Sequence, residues 1–262
     1  MFKSEIVQIG EVKAHVFTAG QGEPLVWLNG AGAVNPDISF FSKLAENNKV
    51  YLVENPGFGQ SEKIKWVKEA ADYNYFYRDF LDHYNLDKVN LVGHSIGGRI
   101  ALEFAISHPH RVENLVLISP QGAYVNGVKV PDYFHGDKEY QAKLIFHDEG
   151  LLNQAINIQN TREEVARKDK NEAALARLIW ERNYNPKFPV LLKYVTAPTC
   201  IIWGKEDRLY PVEHGTFFNQ NIKNSTLQII EDTGHVPHIE KSEETNRIVQ
   251  EFLSKQYSVN TF

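Results

Sequence analysis

The feature that most constrains this chain is a series of short, mostly apolar runs that stop at glycine or proline. Residues 24–28 run into Asn29-Gly30-Ala31-Gly32, and 50–54 into Asn55-Pro56-Gly57-Phe58-Gly59. Residues 89–92 end at Gly93, 115–119 at Pro120-Gln121-Gly122 and 200–203 at Gly204, and a last run covers 227–230. Such runs suit strands and are far too short to cross a bilayer. Helical spacing separates them. Residues 73–84 precede the run at 89, residues 98–107 follow it, and residues 245–252 close the series on Ile248, Val249 and Phe252. Strands that are apolar on both faces and alternate with helices predict an α/β fold, a mostly parallel, doubly wound sheet covered on both sides. Residues 12–18 add a strand in an opening hairpin. Ligand sites in such sheets lie beyond the carboxyl ends of the strands, where this sequence keeps its glycine-rich loops.

The alternation breaks once. Residues 123–195 offer no convincing strand, and residues 161–182 have helical spacing, with Val165, Ala173, Leu175, Leu178, Ile179 and Trp180 among many charges. A stretch this long is no plain loop. The expected organisation is an α/β core from residues 1–122 and 196–262, with residues 123–195 inserted as a helical cap. The cap's charged faces are expected to meet solvent. Some of its apolar and aromatic residues, among them Tyr133, Phe134, Phe146, Trp180, Tyr184 and Phe188, are expected to line an apolar pocket.

Charge narrows the partners. Lys and Arg number 28 against 33 Asp and Glu, a net charge of −5, with no basic stripe. Nucleic acid is not expected as a partner, nor is a membrane; a small-molecule substrate is. The single Cys200 can form no internal disulfide and the first residues show no apolar signal region, so a cytoplasmic location is expected. A homodimer is left open.

Gly93-His94-Ser95-Ile96-Gly97 matches G-x-S-x-G and falls between a strand-like run and a helix-like one, the setting in which that motif holds a nucleophile on a tight turn. A serine hydroxyl needs a base, and the base a carboxylate to orient it. His235 follows the run 227–230 through a short turn, so it shares the carboxyl end of the sheet with Ser95. His94 is adjacent to the serine and is expected to point elsewhere, and His238 reads as a partly buried polar residue. Past Gly204 both Glu206 and Asp207 could orient His235, and Asp207 fits better in reach and register. The order Ser95, Asp207, His235 is the one known for the α/β-hydrolase fold.

Together, Trp27-Leu28-Asn29-Gly30, Asn55-Pro56-Gly57-Phe58-Gly59-Gln60-Ser61, Gly93-His94-Ser95-Ile96-Gly97-Gly98, residues 203–211 and Thr233-Gly234-His235 resemble the α/β-hydrolase superfamily over residues 12–252. The resemblance implies an oxyanion hole from the backbone N–H groups of Ile96 and Ala31, with Gly30, Gly32 and Val236 beside the substrate, and no metal or cofactor. The superfamily usually has His-Gly where this chain has Asn29-Gly30, and Asn29 can still hydrogen-bond the loop. Residues 203–215 and Ile118-Ser119-Pro120-Gln121-Gly122 are similar to the meta-cleavage-product C–C hydrolases. That group typically has Trp at Val236 and a polar, glycine-richer loop at Ala31-Gly32-Ala33-Val34. The resemblance therefore implies first a hydrolase of small to medium, fairly hydrophobic carboxylic esters, working through an acyl-enzyme. The alternative is a C–C bond hydrolase, and a third reading is a non-catalytic ligand-binding homologue.

Overall fold

The computed structural model describes residues 1–255. Eight strands form one sheet in the order β1-β2-β4-β3-β5-β6-β7-β8. They are β1 Lys3–Ile9, β2 Val12–Ala19, β3 Glu23–Leu28, β4 Asn48–Val53, β5 Val89–His94, β6 Val112–Ile118, β7 Thr199–Gly204 and β8 Ser225–Ile230. Only β2 runs against its neighbours; the pairs from β4 to β8 are parallel. The expected sheet and opening hairpin are both present.

The apolar runs owe their composition to the two-residue period of a strand. On β3, Leu25 and Trp27 enter one core while Val26 and Leu28 enter the other; on β7, Cys200 and Ile202 part from Ile201 and Trp203 in the same way. Helices α1 (Ser39–Leu44) and α10 (Ser242–Leu253) cover one face through Phe40, Phe41 and Val249. Helices α2 (Tyr73–His83), α3 (Ile96–Ser107) and α8 (Glu213–Asn221) cover the other through Phe80, Ile100, Phe104 and Phe218.

Between β6 and β7 lie α4 (Lys138–Ile145), α5 (Glu149–Asn157), α6 (Arg162–Ile179) and the single turn α7 (Phe188–Leu191). Thr161 and Glu164 start α6 with a reciprocal capping box, which satisfies backbone N–H groups that no preceding turn can reach. A further turn, α9 (Pro237–Glu240), follows β8.

Helix α3 packs unusually close to the sheet. A Cβ on Gly97 would stand 2.2 Å from the Leu28 carbonyl oxygen and 2.3 Å from that of Asn29. A Cβ on Gly93 would meet the Gly97 carbonyl oxygen at 2.6 Å. These obstacles are backbone atoms, so they cannot rotate away. Gly97→Ala is therefore expected to cost roughly 1–3 kcal/mol or more, seen in thermal unfolding as a midpoint lowered by at least roughly 3 °C. Gly32→Ala, where an added Cβ meets nothing within 4 Å, should leave the midpoint nearly unchanged. Equal midpoints for the two variants would contradict this account.

Candidate active site

The turn from β5 into α3 holds Ser95 at φ 55° and ψ −122°, a strained backbone for any residue with a side chain. Its N–H donates to Ile118 O at 3.1 Å, and its carbonyl accepts from Gln121 N at 3.0 Å and Arg99 N at 3.1 Å. Ser95 Oγ lies 2.9 Å from His235 Nε2, and His235 Nδ1 lies 2.8 Å from Asp207 Oδ2. The other oxygen, Oδ1, accepts from the N–H groups of Leu209 and Tyr210, both at 2.9 Å. Asp207 is thus held on both oxygens, with its side chain shut off from solvent. Glu206 is turned away from His235: its Oε2 accepts from Thr233 N at 2.9 Å, bracing the turn that carries the histidine. The structure brings together Ser95, His235 and Asp207 from the ends of β5, β8 and β7.

Ile96 opens α3, so its N–H has no helical partner one turn back. Ala31, Ile96, Gly30, Gly32 and Val236 all line one cavity of about 540 Å³ with Ser95 and His235. Asn29 bonds its own loop, donating from Nδ2 to Gly32 O at 2.9 Å.

The sequence pattern of the alpha/beta hydrolase fold matches residues 23–171. This chain belongs to the α/β-hydrolase fold family. It is similar to a 2-hydroxy-6-oxononadienedioate/2-hydroxy-6-oxononatrienedioate hydrolase of Burkholderia vietnamiensis, with 32% identity over 94% of this chain and 92% of the relative. A 2-hydroxy-6-oxo-6-phenylhexa-2,4-dienoate hydrolase of Burkholderia cepacia is 24% identical over 94% of this chain and 93% of its own. Among solved structures, a 2-hydroxy-6-oxo-6-phenylhexa-2,4-dienoate hydrolase of Rhodococcus superposes with a TM-score of 0.80 at 20% identity, covering 97% of this chain and 99% of the other. A membrane phospholipase A does so with 0.80 at 24%, covering 96% and 86%. These structural likenesses bear on the fold. In this α/β hydrolase, no helix among the described residues is long and apolar enough to cross a membrane.

The segment between β6 and β7 contributes Tyr133, Ile145 and one face of α6 to the cavity wall. That face differs from the apolar one expected. Glu164, Arg167, Lys168, Asn171, Glu172, Leu175 and Ile179 recur at three- and four-residue spacing, so the stripe is charged in its first half and apolar in its second. Of the aromatic residues named in the segment, only Tyr133 reaches this cavity. Trp180 is 76% exposed, and Phe188 is buried against Phe218. Hydrophobicity alone could not separate these cases, because the direction of each side chain depends on how α6 docks.

Docking is fixed by backbone contacts. His235 N donates to Ile145 O at 2.8 Å. The Glu240 carboxylate accepts from Gly234 N at 2.8 Å, His147 N at 2.8 Å and Asp148 N at 2.7 Å. Asn171 Oδ1 accepts from Gly59 N, and Lys170 donates to the carbonyls of Gly59 and Ser61, each at 2.8 Å. Glu240, Asn171 and Lys170 were not legible as site residues, since the partners through which they dock this segment lie 90 or more positions away.

Two further histidines differ from their sequence reading. His94 does not point away: it lines the cavity, and its Nε2 donates to His235 O at 3.0 Å. His238 is fully buried, with its ring centroid 4.5 Å from that of His94 and 5.1 Å from that of Trp27. Burial, then the neighbouring histidines, hold His94 well below its ordinary range; burial and His235 push His238 down to about 3. Both stay neutral and add no positive charge beside His235. Unfolded, His238 takes its proton near 6.5, and in the fold only near 3. Its stabilising contribution is therefore complete above pH 6.5 and lost as pH falls toward 3. The His238 ring signals should not titrate in NMR spectra between about pH 8 and about pH 5. His238→Gln should flatten the acid side of the stability–pH curve. A His238 ring that titrates near pH 6.5 would overturn this reading.

Proposed function

We propose that this α/β hydrolase cleaves a C–C bond next to a ketone in a vinylogous diketone acid, of the kind formed by meta-cleavage of an aromatic ring. One observation carries the reading: over nearly its whole length the chain matches relatives named as hydrolases of 2-hydroxy-6-oxo dienoates. It displaces the ester reading from first place.

The proposed roles follow the geometry. Ser95 Oγ attacks the ketone carbon while His235 Nε2 takes its proton, and Asp207 steadies the imidazolium. The N–H groups of Ala31 and Ile96 hold the oxyanion, each donor being worth about 3 kcal/mol in the transition state. The C–C bond then breaks. The substrate reacts as its 2-keto tautomer, the 2-hydroxyl proton having left and C5 having gained one. The electron pair of the C5–C6 bond therefore passes through the C3–C4 alkene onto the 2-oxo group, and the dienolate so formed takes the proton from His235. Water, deprotonated by His235, hydrolyses the acyl-serine. Residues 123–195 act as the cap, and Arg167 or Lys168 on α6 pairs with the substrate carboxylate. Lys168 lies 3.6 Å from Glu172, which moderates its charge, and Arg167 has no ion pair within 4 Å among the described residues.

The test is a substrate panel. A 2-hydroxy-6-oxo-hexa-2,4-dienoate carrying an alkyl or phenyl group at C6 should be hydrolysed with a higher kcat/KM than p-nitrophenyl esters of short acids. A preference for the esters returns the ester reading to first place. Ser95→Ala should lower kcat by roughly 10³-fold or more. Asp207→Asn should be far more damaging than Glu206→Gln, and the reverse order would remove Asp207 from its role.

A further inference from the structure

Among the described residues, a second chain of serine, histidine and carboxylate exists, on the β1–β2 hairpin. Ser4 Oγ lies 2.8 Å from His15 Nε2, and His15 Nδ1 lies 2.9 Å from Glu54 Oε2. Ser4 is exposed near the start of strand β1, paired to Phe17, without the tight turn that presents Ser95. The other end of the chain of bonds is the informative one. Glu54, at the end of β4, accepts from Gln60 N at 2.6 Å and, through Oε1, from Val34 N at 3.2 Å. The loop wraps this carboxylate so tightly that a Cβ on Gly59 would stand 2.1 Å from it. The next residue, Asn55, is fully buried; its Nδ2 donates to Asn29 O at 2.7 Å, and its Oδ1 accepts from the Tyr77 hydroxyl.

Asn29 and Val34 are the two ends of the turn that contains Ala31. That turn has no regular secondary structure of its own. It hangs from two adjacent side chains of the core, one gripping each end. Each of those side chains is fixed in turn, Glu54 by His15 of β2 and Asn55 by Tyr77 of α2.

We infer that Glu54 and Asn55 are positioning residues that aim the Ala31 N–H at the oxyanion. The inference rests on the proposed roles of Ser95 and Ala31. Neither side chain touches the reacting atoms. Each acts through the backbone of the turn, where an error of about 1 Å in a donor costs up to about 100-fold in rate. The preceding Asn29–Gly32 bond stiffens the turn but cannot set its distance from Ser95; the two bonds to the end of β4 can.

The experiment compares Asn55→Asp, Glu54→Gln and the milder Tyr77→Phe. Asn55→Asp keeps the shape and still accepts from Tyr77, but sets an oxygen against the Asn29 carbonyl. The readouts are the rate of Ser95 labelling by a fluorophosphonate, kcat, KM and the thermal midpoint, normalised to folded protein. Labelling also builds charge on an oxygen in the hole, so it reports on the turn whether the natural substrate is a ketone or an ester. Expected for the Asn55 and Glu54 variants is a fall of roughly 10- to 100-fold in both labelling rate and kcat, with KM within about twofold. Tyr77→Phe should lower both by a few-fold. Rates within about twofold of native in folded Asn55→Asp and Glu54→Gln would overturn the inference alone. A loss accounted for by unfolded protein would overturn it too, by assigning both residues to stability. If the native protein is not labelled at Ser95, the reading of Ser95 fails first and this inference falls with it.

Discussion

The approach of α3 to the ends of β3 and β5 is the constraint on which the rest of this molecule depends. Gly93 and Gly97 let backbone pass against backbone at distances no side chain would tolerate. That contact forces the turn between strand and helix, and the turn holds Ser95 in a conformation it would not adopt alone. The same contact sets Ile96 at the start of a helix, with its N–H unspent, and presses α3 toward the carbonyls of Leu28 and Asn29, where the opposing turn begins. The places of Ser95, of the Ile96 N–H and of the turn after β3 thus all follow from one packing event.

A second layer of order comes from carboxylates that bond backbone N–H groups. Asp207 fixes the N–H groups of Leu209 and Tyr210 and one nitrogen of His235. Glu206 braces Thr233. Glu240 ties the His235 turn to the start of α5, and Glu54 joins the loop after β4 to the turn after β3. Each replaces secondary structure where the chain has none, because loops at the ends of strands leave many N–H groups to satisfy. The loops around Ser95 and His235 are therefore tied in place by side chains rather than by regular secondary structure.

The two neutral histidines serve a related end. His94 and His238 crowd His235, and a positive charge on either would stand close to its ring. Burial among Trp27, Phe40 and one another keeps both uncharged across the working range. At the cavity wall α6 instead supplies charges of both signs, Arg167 and Lys168 beside Glu164 and Glu172.

The sequence by itself determined the sheet, because an apolar run that stops at glycine has few other structures open to it. It also determined the Ser95, Asp207 and His235 constellation, because each of these lies a fixed few residues past a strand end and all strand ends of a parallel sheet point one way. The hairpin, α2, α3, the closing helix and the strandless stretch were legible for the same local reasons. Tertiary structure alone decided the rest. Whether the charged face of α6 meets solvent or cavity depends on its docking, and that docking is set by Glu240, Lys170 and Asn171 reaching partners far away in sequence. The same holds for His94, which turns toward His235, and for Glu54 and Asn55, whose partners lie 20 and 26 residues back. Local spacing carries information about elements; long-range hydrogen bonds between loops carry the aim of the site, and no local pattern encodes them.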